Sequence, residues 1–186
     1  FEDEAGWTPE DRSALAEFSR GGAWIFPPDP TERTATLGGM VACNASGART
    51  LFYGPTRHYI NRLRLALADG SLLDLRRGEY FADGQGRFRL ALPDGVLREL
   101  ALPTYAMPQV KNAAGYFSRP GLDLLDLFIG SEGTLGIFTE IELELIPAPE
   151  LILGVIGFFP AEPAALDFVR RARGEGAGGG QLCLPM

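Results

Sequence analysis

Apolar residues recur along this chain in two periods, one near 3.6 and one of 2, and Gly and Pro punctuate the changes between them. Ala14, Leu15 and Phe18 share one helical face; Thr8 can cap that helix, Pro9 suits its first position, and Gly21-Gly22 closes it. Glu10 and Asp11 place carboxylates at the positive end of its dipole. Ala23 to Phe26 reads as a short strand stopped by the Pro27-Pro28-Asp29-Pro30 turn. Thr36 to Cys43 predicts a short helix capped by Thr36, with Gly38-Gly39 in its first turn. Each glycine there costs about 1 kcal/mol relative to alanine, so both need a reason.

Further on, strict alternation takes over. Leu63, Leu65 and Leu67, the Asp69-Gly70 turn, then Leu73 and Leu75 predict a β-hairpin. Arg87 to Leu100, around Pro93-Asp94-Gly95, predicts a second. Leu122 to Ile129 reads as a compact helix ending at Gly130. From Leu135 a long strand is expected, with Leu135, Ile137, Ile141, Leu143 and Leu145 on one face and Glu140, Glu142 and Glu144 on the other. Pro147-Ala148-Pro149 breaks the pattern and marks a boundary between residues 1–147 and 151–186. Beyond it, Leu151 to Phe159 predicts a strand, Pro163 to Arg173 an amphipathic helix, and Gly174 to Gly180 a flexible stretch. No internal repeat is found.

Composition narrows the setting. With 46% apolar residues the chain can bury a core, so its 24 Gly and 14 Pro indicate tight loops rather than disorder. A net charge of −7 argues against a nucleic-acid or polybasic membrane surface. No apolar run approaches the ~18 residues of a membrane span, and no signal peptide opens the chain. Cys43 and Cys183 stand far apart without CxxC spacing, which fits a reducing, cytoplasmic setting better than a disulfide framework or a zinc site. The first residue is Phe1, so the chain is expected to be a processed product or a piece of a longer one.

Three segments carry candidate chemistry, and in each the backbone is the reactive surface. Pro28-Asp29-Pro30 followed by Thr34-Ala35-Thr36-Leu37-Gly38-Gly39 would present amide donors, unscreened by Cβ atoms, to an anionic or planar ligand. Asn44-Ala45-Ser46-Gly47, with Tyr53-Gly54 shortly after, offers one amide and one hydroxyl among small residues. Gly130-Ser131-Glu132-Gly133-Thr134-Leu135-Gly136-Ile137 is a glycine-punctuated turn feeding a buried strand. Taken singly, each set of glycines reads equally well as turn-forming only. Neither a strand leading into GxGxxG nor a P-loop GxxxxGK[ST] is present.

Taken together and in order, residues 35–47 (Ala35-Thr36-Leu37-Gly38-Gly39-Met40-Val41-Ala42-Cys43-Asn44-Ala45-Ser46-Gly47) and 126–137 (Asp126-Leu127-Phe128-Ile129 and the turn above) resemble segments of the FAD-linked oxidases. Their flavin domain is the type shared with vanillyl-alcohol oxidase and p-cresol methylhydroxylase. The branch holding D-lactate dehydrogenase and the D subunit of glycolate oxidase is most similar, and Lys111-Asn112-Ala113-Ala114-Gly115-Tyr116 also fits it. The resemblance spans about residues 5 to 173. It implies an α+β fold: a mainly antiparallel sheet flanked by helices, the second subdomain of such an FAD-binding domain, followed by the start of a ferredoxin-like cap. It also implies FAD contacts at Pro28, Asp29, Pro30, Thr34, Ala35, Thr36, Gly38, Gly39, Asn44, Ala45, Ser46, Gly47, Tyr53 and Gly54. Further contacts, through main-chain atoms, are implied at Glu132, Gly133, Thr134, Leu135, Gly136 and Ile137. In this reading Gly38, Gly39, Gly133 and Gly136 are glycines because flavin approaches too closely for a Cβ. The implied activity is oxidation of a small 2-hydroxy acid, with hydride passing to the flavin and electrons leaving to a separate acceptor.

The departures from that family shape a further expectation. A Gly-rich pyrophosphate loop expected upstream, and a cap with a His-rich metal-binding stretch expected downstream, are not among these residues. The chain is therefore expected to be a fragment, inactive alone and able to self-associate or join a partner subunit. Gln181 to Met186 matches no family segment. His58 is the only histidine, so no His-based metal cluster or triad is expected within one chain, and a structural or solvated role is favoured. Glu132 reads as a turn residue more than an acid or base, Lys111 as either a surface lysine or an anion contact, and Cys43 as a small buried residue. No catalytic residue is assigned. A rival reading keeps the fold as a non-catalytic interaction module; bound flavin separates the two.

Overall fold

The computed structural model describes residues 6–32, 34–91, 95, 97–110 and 112–173. Lys111, the Pro93-Asp94 part of the second hairpin's turn, Gly174–Gly180 and the final six residues lie outside the described residues. The chain divides into two compact units, Phe1–Ala148 and Pro149–Met186.

In the first unit, helix α1 (Pro9–Arg20) starts as its sequence dictates. Thr8 Oγ1 accepts from the Asp11 amide at 3.1 Å, and Asp11 Oδ2 accepts from the Thr8 amide at 2.8 Å. The hydrogen bonds from Thr8 hold the Asp11 carboxyl below its usual range. None of its residues is fully buried, and Phe18 rests against Trp24 of β1 (Trp24–Ile25). β1 pairs with β7 (Ile146–Pro147). Helix α2 (Leu37–Ala42) is capped by Thr36, whose Oγ1 accepts from the Gly39 amide at 3.1 Å.

A short helix α3 (Thr50–Tyr53) and a 3₁₀ turn (Thr56–Tyr59) lead into β2 (Ile60–Ala66), the middle strand of an antiparallel sheet between β3 (Leu72–Arg76) and β6 (Ile137–Leu143). Leu63 and Leu65 on β2 face Leu75 and Leu73 on β3, and these four form the heart of the core. Each fully buried leucine contributes about 1.5–3 kcal/mol. The opposite face is an ionic lattice in which Arg62, Arg64 and Arg76 meet Asp74, Glu140 and Glu142. A hairpin of β4 (Arg87–Ala91) and β5 (Leu97–Ala101) adds Phe88 and Leu90 to the core. Helix α4 (Leu124–Phe128) is buried along its whole length, its N-terminus capped by Asp123.

The expected α+β mixture of helices and antiparallel sheet is present, and among the described residues the strands form three separate antiparallel sheets. Two expectations are corrected. On β6, Ile137 does not face the core. Leu65 pairs with Phe138 while Arg64 pairs with Glu140, so Thr139 is an extra residue that reverses the alternation. Phe138 turns inward and Ile137 is 72% exposed. Finally, Leu151 to Phe159 forms no strand; with no neighbouring strand to pair, its apolar side chains stand exposed. In this second unit, α5 (Glu162–Ala172) forms as expected, with Phe168 packed on Phe159 at 5.3 Å between ring centroids.

Candidate functional site

The sequence-predicted segments meet around α2. The chain leaving that helix turns back at Asn44, which takes a positive φ of 46°. The Asn44 and Ala45 amides donate to the Val41 and Met40 carbonyls at 3.1 and 2.8 Å. Asn44 Oδ1 then accepts from the Arg57 amide at 3.0 Å, and the Ala45 carbonyl accepts both the amide and the hydroxyl of Thr56. This closed loop brings the turn after α4 onto the same spot. The Gly130 amide donates to the Val41 carbonyl at 3.0 Å, and the Glu132 amide to the Ala42 carbonyl at 2.9 Å. Two segments far apart in sequence thus share the C-terminal carbonyls of one short helix. The Pro28-Asp29-Pro30 turn joins them through a bridge between Pro30 and Gly47, with Asp29 paired to Arg49 at 3.0 Å.

The glycines separate into two groups. At Gly47 a Cβ would stand 1.4 Å from the Asp29 carbonyl oxygen, and at Gly54 it would stand 2.2 Å from His58 Nδ1. At Gly136 it would meet the Ala66 carbonyl and Leu65 Cδ1 at 2.8 Å, and at Gly39 the Thr36 hydroxyl at 3.2 Å. These four have reasons inside the fold. At Gly39 and Gly136 the cap and strand β2 thus already crowd or exclude a Cβ, so flavin is not needed to account for glycine there. Gly38 and Gly133 differ, since a Cβ at either would meet nothing within 4 Å. Among the described residues nothing in the fold requires Gly38 to lack a side chain. Gly133 has only its φ of 76°, following Glu132 at 53°.

Other expected contacts also have protein partners. Thr34 donates its amide and hydroxyl to Glu32, which holds that carboxyl below its usual range. Ala35 donates to the Glu32 carbonyl, the Tyr53 carbonyl accepts from the Tyr59 hydroxyl at 2.6 Å, and Leu135 packs partly on the core. Ser46 is half-buried, and Ile137 is at the surface. Cys43, expected to be buried, is exposed, because it follows the last turn of α2 on its solvent side.

The groups holding this junction were not evident from the sequence. Arg57 is buried against Phe117, 4.2 Å from the ring centroid. It donates to the Asp126 and Ile129 carbonyls, the latter at 2.5 Å, and pairs with the Asp126 carboxylate at 3.2 Å. Arg77 meets the same carboxylate at 3.2 Å and also donates to the Arg57 and Ile60 carbonyls. Burial lowers the Arg57 pKa, and Asp126 opposes that shift. The arginine thereby fastens the end of α4, and the turn that follows it, to the base of the site. Sequence carried no local signal for this, because Arg57 and Asp126 lie 69 residues apart. The lone His58 packs over Gly54 with its pKa lowered chiefly by burial, a structural placement. Among the described residues no cluster of three or more His, Cys, Asp or Glu side chains could hold a metal ion. No helix among them is long and apolar enough to cross a membrane.

This geometry suits a flat ligand held largely by main chain, with open volume at Gly38 and Gly133 where side chains would intrude. Comparison with known proteins names the family such sequence belongs to. Residues 11–76 match the FAD binding domain family. A D-lactate dehydrogenase of Anaerostipes hadrus is 34% identical over 142 residues, 76% of this chain and 22% of that protein. The glycolate oxidase subunit GlcD of Bacillus subtilis is 36% identical over 146 residues, 78% of this chain and 23% of that protein. A D-2-hydroxyglutarate dehydrogenase of Xanthomonas citri is 30% identical over 137 residues, 73% of this chain and 21% of that protein. The chain thus spans about a fifth to a quarter of the length of these curated relatives. By the match over residues 11–76 and the likeness to these relatives, the chain carries FAD-binding sequence of the FAD-linked oxidase family.

Proposed function

We propose that this domain holds FAD for the oxidation of a small 2-hydroxy acid of the D-lactate or glycolate type. The observation that carries the reading is the junction of the Gly130–Glu132 amides with the Val41 and Ala42 carbonyls, which sets the Gly133 turn beside α2, the helix that bears Gly38. When bound, FAD would supply the two-electron acceptor for the substrate carbon. The chain's own share is positional. Pro28 to Pro30, Thr34 to Gly39, Asn44 to Gly47 and Tyr53-Gly54 would form one wall. Glu132 to Ile137 would form the other and exclude water from the cofactor's edge. Arg57 keeps the two walls together. Residues 151–186 would begin a substrate-side cap domain, for which the exposed apolar segment 151–159 and the amphipathic α5 provide material. Identity to relatives named for D-lactate, glycolate and D-2-hydroxyglutarate supports the 2-hydroxy-acid class.

The test is an NMR titration of the isotope-labelled protein with FAD, which registers affinities down to the millimolar range. Shifts should concentrate at Gly38, Gly39, Asn44, Glu132 and Gly133. Shifts confined to the β4–β5 hairpin, or none at millimolar FAD, would reject the assignment.

A further inference from the structure

The turn after α4 has two successive residues, Glu132 and Gly133, in the left-handed region. A non-glycine residue there costs of the order of 1 kcal/mol and needs support from its surroundings. Part of that support is a chain of hydroxyls. Thr134 donates both its amide, at 3.0 Å, and its hydroxyl, at 2.5 Å, to the Ser131 carbonyl, closing the turn. A threonine hydroxyl has a single proton. With that proton on the Ser131 carbonyl, the 2.7 Å contact between Tyr116 Oη and Thr134 Oγ1 has Tyr116 as its donor. The direction of the relay is therefore fixed: Tyr116 to Thr134 to the Ser131 carbonyl, each bond polarising the next.

Tyr116 is itself held at both ends. Its ring packs partly against the core and forms part of the wall of an apolar cavity of about 310 Å³, together with Leu127, Phe128 and Leu135. Its carbonyl accepts from the Tyr105 hydroxyl, which Gly115 admits at φ 60°. Among the described residues, the amide of Gly133 has no protein acceptor, and it sits at the centre of the turn that this relay closes.

We propose that Tyr116 is a positioning residue for the cofactor: through Thr134 its phenol fixes the Glu132–Gly133 turn, so that the Gly133 amide is directed at the bound flavin nucleotide. The inference rests on the FAD reading above. A phenol delivered by a packed ring holds Thr134 in one rotamer, which a mobile water in its place does not. Tyr116→Phe keeps the ring in its cavity and removes only the proton that starts the relay.

The experiment measures amide hydrogen exchange at Ser131 to Thr134 without ligand, and FAD affinity by NMR titration. It compares the wild-type chain with Tyr116→Phe, Thr134→Val, Thr134→Ser and the double variant Tyr116→Phe/Thr134→Val. We expect Tyr116→Phe to weaken FAD about 3- to 10-fold, the loss of one net hydrogen bond, while the melting temperature hardly moves. Exchange of the Thr134 amide should quicken by a similar factor. Thr134→Ser should retain wild-type affinity. The double variant should be no weaker than Thr134→Val alone, because both remove one relay. Wild-type affinity and exchange in Tyr116→Phe, or losses that simply add in the double variant, would overturn the proposal and leave the FAD reading standing. A wild-type chain indifferent to millimolar FAD would overturn both.

Discussion

At the scale of single residues, the molecule separates glycines required by the fold from glycines it does not need. Gly47 cannot accept a side chain because the Asp29 carbonyl occupies its place, so Gly47→Ala should strongly destabilise the first unit and lower its thermal midpoint. Arg57 is the opposite case, a charge whose removal is harmful because of what it leaves behind. Asp126 is almost fully buried and Arg77 alone reaches it only from a more exposed position. Arg57→Ala should cost about 3–5 kcal/mol in urea unfolding, the range for breaking one side of a buried pair. His58 gives a pH signature. Burial holds its folded pKa below the unfolded value near 6.5, with Arg57, Arg77 and Arg119 pushing the same way and Asp126 opposing. The neutral imidazole is thus the folded form, and its contribution is present above about pH 6.5 and lost as pH falls below it. Stability of His58→Gln measured from pH 8 to 5 should lack that acid-side decline. None of these roles could be read from the residue types alone: what a side chain would meet at Gly47 and Gly54 is the Asp29 backbone and the His58 ring, whose placement is set by the folded loops.

At the scale of elements, caps and turns were legible because their physics is local. Thr8 and Thr36 start their helices through their own hydroxyls, Asp69-Gly70 turns the first hairpin, and Gly130 ends α4 at a positive φ. The inner face of β6 was not legible at Ile137, because the bulge at Thr139 depends on how β2 pairs with it. The strand expected over Leu151 to Phe159 failed for a related reason: alternation supplies a face, but a strand also needs a neighbour. Helix α4 illustrates how an element positions the site. Asp123 caps it at the Leu125 amide, 3.1 Å, and also accepts from the Gly78 amide at 2.7 Å, tying the helix to the end of β3. Asp123→Ala leaves both donors unpaired and should cost about 1–3 kcal/mol, whereas Asp123→Asn, with one acceptor oxygen for two amides, should recover only part of it. Denaturant curves of the two variants read the difference directly.

At the scale of the whole molecule, the apolar side chains of the second unit stand in water: Leu151, Leu153, Val155, Ile156 and Phe158 are each more than three-quarters exposed. Such a run favours association, and light scattering should show oligomers growing with concentration, reduced by Ile156→Asp and Phe158→Asp together. The first unit poses the central question, whether the loops gathered at α2 are built for FAD. Gly38 answers it most directly. It sits in the first turn of α2, its Cβ would meet nothing, and alanine is the better helix former by up to about 1 kcal/mol. The fold alone would therefore favour alanine there. The decisive measurement pairs thermal unfolding with FAD titration for Gly38→Ala. Gly38→Ala should show equal or higher stability together with FAD affinity reduced at least tenfold; unchanged FAD affinity at that higher stability would mean that FAD does not approach Gly38.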